Sequence, residues 1–345
     1  MSAAEPVAAD RVRLAVAEGQ ALGEAAMRGI GFDDEEARIL TDHVMDAALA
    51  GYEYSGLPKL LNIADAKDFQ KPRRRPKVVK ETGPTALMDG GNTVGMLSIH
   101  YATEEAIRRA EAHGLAIVCL YDSWMSGRSA HFCERIARRG LIAIHTVSAQ
   151  PMVAPFGGAA RALGTNPIAF GFPADPDPLV IDMGTSAFMG TDLQFRGRTG
   201  AELPAGVALD PEGRPTTDPA AATAGALLPF GGPEGGYKGF GLALAMDALG
   251  ALGAGLRAPD DVRGYLIVAF KPDLFTTLEA YRAEVTARIA RIKATSRLPG
   301  VAEIRIPGER SYRMRAKLVE EGIVIDAKIR DALLRLADGR RDHGA

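Results

Sequence analysis

The stretch GTNPIAFGFP (residues 164–173), followed by LVIDMGTSAFMGTDLQ (residues 179–194), holds two short apolar runs bounded by proline and glycine. β-Branched and aromatic residues confined between such breakers read as strands, and runs this short exclude a helix of ordinary length. Thr165 stands before the first run, and Asp182, Met183, Gly184, Thr185 and Ser186 close the second, with Asp192 just beyond. Small polar side chains and carboxylates at strand ends are where ligands commonly sit. Asp182 also has a plain reading, since an acid ending an apolar strand often only bonds nearby backbone amides in a turn.

Working outward, TALMDGG, HYATEEAIRRAEAHG, LAIVCLYDS, SAHFCERIARRG and LIAIHTVS follow one another from residue 85, and their periodicity predicts strand, helix, strand, helix, strand. Residues 8–50 read as two or three helices, with Leu40, Val44 and Ala47 on one face and Asp33 or Asp34 as an N-cap. The basic, proline-broken segment KDFQKPRRRPKVVKETGP (residues 67–84) marks a boundary and reads as a solvated linker rather than a nucleic-acid patch. GYLIVAFKP predicts a late strand, and LEAYRAEVTARIARIKAT and AKIRDALLRLA two late helices. GGPEGGYKGFGLALAMDALGALGAG (residues 231–255) reads as a glycine-rich turn before an apolar helix, with Lys238 at the junction. Such a turn either brings backbone N–H groups and a lysine to a phosphate or is a plain helix entry; it matches neither the P-loop nor the Rossmann fingerprint.

With 345 residues, 47% of them hydrophobic, the chain can bury a sizeable core. Its 41 basic and 43 acidic residues leave a formal charge of −2, so no overall basic field gathers nucleic acid or anionic membrane. Two cysteines, Cys119 and Cys133, form neither a disulfide framework nor a zinc pattern. No apolar run reaches a membrane span and the first residues lack a signal-peptide core, so a cytoplasmic protein with small-molecule partners is expected.

The motifs MDGGNTVG, PFGGAARALGTNPIAFGFP, LVIDMGTS, LPAGVALDPEGRPTTDP, LLPFGG, GGYKGFGL and IRIPGER, in this order and spacing, resemble the malate/L-lactate dehydrogenase-like family of NAD(P)-dependent oxidoreductases. That family includes sulfolactate and ureidoglycolate dehydrogenases and reductases of cyclic imines such as piperideine- and pyrroline-2-carboxylate. The resemblance implies an α+β, non-Rossmann fold. A helical domain (residues 1–75, joined by 310–345) would flank a mixed-sheet domain (83–309) that binds cofactor and substrate, usually within a homodimer. It also implies a cofactor site made by Asp182, Met183, Gly184, Thr185 and Ser186, by Tyr237 and Lys238, and by Gly308, Glu309 and Arg310. Arg310 and Arg313 either clamp a 2′-phosphate, which tilts the expectation towards NADPH over NADH, or pair with surface acids.

The catalytic slot departs from the family in GYEYSGLPKL (residues 51–60). Relatives have Ser-His-Gly where Tyr54, Ser55 and Gly56 stand, and a carboxylate-holding arginine at Lys59; their second histidine falls at Met125, after Asp122, Ser123 and Trp124. Losing a positioned acid costs a ketone reduction roughly 10²–10⁴-fold. A protonated imine already carries its proton. The expectation is therefore hydride transfer to a small carboxylated cyclic imine, with Lys59 and Arg128 as substrate contacts, Asp192 as the anion, and Tyr54 as an acid if its pKa is lowered. Trp124 either stacks on the substrate or fills the wall, and His131 is expected in the core. The alternatives are a 2-hydroxy acid dehydrogenase and a catalytically silent dinucleotide-binding protein.

Overall fold

The computed structural model describes residues 10–254 and 263–340. Expectations that touch residues 1–9, 255–262 and 341–345, including the outer ends of the terminal domain and of the apolar helix, lie outside the described residues.

The chain opens with a strand missed in the sequence, β1 (Arg11–Leu14), and continues through α1 (Val16–Gly29), α2 (Asp34–Leu49) and α3 (Pro58–Asp65). β1 pairs antiparallel with β11 (Ile323–Asp326), Leu14 facing Ile323, and α11 (Ala327–Ala337) follows and packs on α1. Asp33 caps α2, accepting from the Glu36 N–H at 2.9 Å while Glu36 reaches back to the Asp33 N–H. Met27, Leu40, Val44, Leu57, Leu60 and Ile63 share one buried cluster with Ile323, Ile325, Leu333 and Leu336, so both ends of the described chain build the same core. Trp124 and Met96 join it from the sheet side and tie the two parts together.

The main sheet has seven strands in the order β2-β3-β4-β10-β5-β6-β7. They are β2 (Lys77–Glu81), β3 (Thr85–Val94), β4 (Leu115–Trp124), β5 (Ile142–Ser148), β6 (Ile168–Phe172), β7 (Leu179–Met183) and β10 (Gly264–Phe270). Only β3 and β4 run parallel, and α4 (Gly95–His113) makes their crossover. Between β4 and β5 runs α5 (Ser129–Arg138); Phe132 and Ile136 of α5 and Ile99 and Ile107 of α4 pack in the sheet's buried cluster with Leu120 and Ile267. α6 (Gly190–Thr199), β8 (Ala208–Leu209), α7 (Pro219–Ala224) and β9 (Ala226–Leu227) follow β7. α8 (Gly232–Ala254) lies against β10, β5 and β4, and α9 (Leu278–Lys293) and α10 (Glu309–Glu321) precede β11.

Two expectations are corrected. The glycine-rich stretch is no turn, because α8 starts at Gly232 and Lys238 lies exposed inside it. Its glycines instead permit close packing: a Cβ on Gly236 would stand 2.8 Å from the Phe156 ring and one on Gly239 2.5 Å from the Phe230 carbonyl oxygen. Residues 67–84 are also more than a solvated linker. Arg73 grips Glu36 with two bonds of 2.6 and 2.8 Å and lies over Phe32, and the chain then enters the sheet as β2.

Candidate active site

A cleft of about 860 Å³, within the usual range for ligand sites, lies between the helical layer and one end of the sheet. Pro58 starts α3 at a position where its missing N–H costs nothing, and a short 3₁₀ turn (Glu53–Ser55) delivers Tyr54 and Ser55 just before it. Tyr54, Ser55, Lys59, Trp124, Met125, Arg128, Thr165, Asp182, Met183, Gly184, Ser186 and Gly308 all line the cleft. Segments up to 250 residues apart in sequence are thus gathered round one cavity. The loop under Met125 is held in an uncommon backbone form, with positive φ at Asp122 (52°), Met125 (58°) and Gly127 (77°). Trp124 is 4% exposed and donates to the Asn92 carbonyl at 3.1 Å, which makes it a fixed wall.

The rest of the expected set lies outside the lining. Asp192 pairs with Arg196 at 3.4 Å. Thr185 is wholly buried and bonds the Thr165 carbonyl by both N–H and hydroxyl, so it shapes the loop rather than faces the cavity. Tyr237 and Lys238 are exposed on α8. Glu309 bonds Lys293 at 2.5 Å, and Arg313 bonds Glu303 at 2.7 Å, so of its two readings the surface pair is the one present. Arg310 lies over the Tyr52 ring at 5.4 Å.

Charge is distributed unevenly around the cavity. Arg128 bonds Asp46 at 2.6 Å, and Asp46 also takes Arg315 at 2.5 Å, which in turn grips Glu134. Against its burial, His131 first and then these guanidiniums hold the Asp46 carboxyl well below its usual range. Arg128 is therefore not a free clamp. Lys71 and Arg263 share Asp68 at 2.6 and 2.9 Å. Lys59 differs: it is 9% exposed, and its Nζ donates to the Thr191 hydroxyl at 3.3 Å with no carboxylate within 4.0 Å among the described residues. Burial lowers its pKa to about 8.

Tyr54 also departs from expectation. Burial, then Tyr52 and the carboxylates of Asp192 and Asp182, push its pKa up to about 12, and its hydroxyl lies 3.2 Å from Met189 Sδ. It is a poor proton donor. No histidine lines the cleft among the described residues. His43 sits behind it, its Nε2 accepting the Arg128 N–H at 2.9 Å, and burial keeps it neutral. His131 is only partly buried; it packs edge-on against His43 and approaches Asp46 at 3.4 Å.

Four contributors were missed: Asp46, Thr191, Asn62 and Ser129. Asn62 follows Lys59 at helical spacing, a signal open to sequence reasoning. The Asp46–Arg315 pair spans 269 residues and left none. Asn62 Oδ1 and Ser129 Oγ are buried without hydrogen-bond partners, in residues that line the cleft.

Comparison with known proteins gives the class first. The fold matches a delta1-piperideine-2-carboxylate reductase from Pseudomonas syringae pvar. tomato with a TM-score of 0.78 at 28% identity, over 94% of this chain and 99% of that one. An L-sulfolactate dehydrogenase from Methanocaldococcus jannaschii is 32% identical over 90% of this chain and 92% of its own, and a ureidoglycolate dehydrogenase (NAD(+)) from Escherichia coli O157:H7 is 32% identical over 86% and 87%. The malate/L-lactate dehydrogenase family model matches residues 14–334, and the chain belongs to that family. It is an oxidoreductase that works with a nicotinamide cofactor. The cleft fits such a group: Gly184, Gly190 and Gly308 line it with no side chain in the way, and the orphaned Ser129 hydroxyl lies buried just behind that lining.

Proposed function

We propose that this protein reduces a small cyclic imine carrying a carboxylate next to the C=N bond, using NADPH. The observation that carries this reading is a cleft whose lining, among the described residues, has no imidazole and presents Lys59 as a buried cation without a carboxylate partner. A carboxylate entering beside Lys59 gains a charge-assisted bond in a dry site. An imine nitrogen is far more basic than a carbonyl oxygen and takes its proton from a weaker acid, whereas a carbonyl oxygen needs a stronger positioned acid, and Tyr54 is poorly matched to that task.

Asp182, Met183, Gly184, Ser186 and Gly308 would hold the cofactor, which supplies the hydride. Arg310, exposed and without an ion-pair partner among the described residues, is the cation suited to a 2′-phosphate. The unit built from residues 10–75 and 310–340 acts as a helical domain closing one side of the cleft, the sheet does not use the Rossmann arrangement, and the active form is a homodimer. Asp192 acts at a distance, through its charge on Tyr54.

Following NAD(P)H oxidation with cyclic imino acids and 2-oxo acids tests the reading. Turnover of the imino acids at least tenfold faster in kcat/KM is expected. Faster turnover of the oxo acids would overturn the substrate class, and NADPH binding without turnover of either would point to a silent binder.

A further inference from the structure

Lys59 lies at the second position of α3, and its one bonding partner, Thr191, lies at the second position of α6. Two helix N-termini therefore meet at one buried ammonium. Each carries partial positive charge from unpaired N–H groups, which favours an anion there and disfavours a proton on the lysine. Other charged groups nearby leave this balance in place: His43 on α2 is neutral, Asp192 on α6 is paired with Arg196, and Tyr54 on the adjoining turn stays protonated. The lowered pKa of Lys59 agrees with the geometry.

We infer that Lys59 is a catalytic residue with two jobs at once, anchoring the substrate carboxylate and delivering the proton to the adjoining imine nitrogen. In an α-imino acid the nitrogen and one carboxylate oxygen lie on neighbouring carbons and face the same side, so one ammonium with three N–H donors reaches both. The step balances. An Nζ–H bond breaks as the substrate N–H bond forms, and Lys59 is left neutral until solvent reprotonates it; the hydride and its electron pair for the imine carbon are what a bound nicotinamide would supply. A lysine of near-neutral pKa suits this exchange, because donor and acceptor are then matched. An arginine in the same place would hold the carboxylate but could not release a proton. The inference rests on the reductase reading above.

The decisive variant is Lys59→Arg, paired with Lys59→Ala. In Lys59→Arg, KM should stay within about threefold of wild type while kcat falls roughly 10²-fold or more; wild-type kcat/KM should decline above about pH 8, and that decline should vanish in the variant. Methylammonium should restore part of kcat to Lys59→Ala. Wild-type kcat in Lys59→Arg would reduce Lys59 to an anchor and overturn the proton role. A second readout needs neither cofactor nor turnover: NMR of reductively 13C-methylated protein, with Lys59→Arg assigning the resonance. One lysine should titrate near pH 8 and move upward when pyrrole-2-carboxylate is added. Titration of that signal near 10 would overturn the inference whether or not the protein turns over any substrate, whereas a low titration point without any turnover would overturn only the reductase reading.

Discussion

Two sets of cations, one of partly buried arginines at and behind the cleft wall and the other the buried Lys59, have opposite surroundings. Arg128 and Arg315 converge on Asp46 and Glu134 at 2.5 to 2.9 Å, so each guanidinium has a carboxylate partner. Lys59 has a hydroxyl. The first arrangement compensates its desolvation and fixes the α2–α5–α10 junction; the second leaves a charge under strain in a cavity wall. Burial alone therefore does not identify a functional cation. The absence of a partner does, because stability is given up only where a ligand later supplies the missing charge.

The largest effect is expected from removing the shared anion. Asp46→Ala leaves Arg128 without a carboxylate and Arg315 with Glu134 alone, and should cost roughly 3–5 kcal/mol in urea unfolding. Because the Asp46 pKa is depressed on folding, its contribution is present above the unfolded value of about 3.9 and is lost as pH falls below it, so wild type and Asp46→Ala should converge in acid. A loss under 1 kcal/mol would erase the contrast between the two groups.

Gly127→Ala comes next, since φ is 77° and an added Cβ would stand 2.2 Å from His43 Nε2. A cost of roughly 1–3 kcal/mol is expected, with KM raised as the Met125 loop shifts. Unchanged stability would show that the loop is free to move.

Lys59→Met should act in the other direction, raising stability at pH 7 by on the order of 1–2 kcal/mol while abolishing turnover. Lys59 has a folded pKa of about 8, below the unfolded value of about 10.4, so the unfolded chain binds the extra proton between them. Wild-type stability should thus rise with pH through that window relative to Lys59→Met, and the advantage of the variant should disappear above it. A stability difference that ignores pH would mean that folding leaves the Lys59 pKa unshifted.

The smallest effect is assigned to Arg313→Ala, which breaks a pair whose arginine is 55% exposed. A change below about 0.5 kcal/mol and an unaltered NADPH preference are expected. Arg310→Ala, by contrast, should raise KM for NADPH about tenfold, about 1.4 kcal/mol, and leave KM for NADH alone.

Period and punctuation in the sequence determined most of the sheet and its helices, because strands such as β6 and β7 and helices such as α4 and α5 are specified by residues within ten or twenty positions of one another. The order of motifs likewise determined the family, and with it the wall that holds Tyr54, Ser55 and Lys59. Only the tertiary structure decided what those side chains meet. The β1–β11 ribbon and the Asp46–Arg315 pair join positions some 270 to 310 residues apart, and a four-residue strand carries too little pattern to be seen without its partner. The glycines before Lys238 read as a loop, but Gly232, Gly235 and Gly236 lie inside α8, where only Gly236 is pressed against a neighbour, the Phe156 ring. Lys59 and Arg128 read alike as cleft cations, and what separates them is that Asp46 reaches one and Thr191 the other. Protonation states depend on distances of 3 to 4 Å between remote segments, and those distances exist only once the chain is packed.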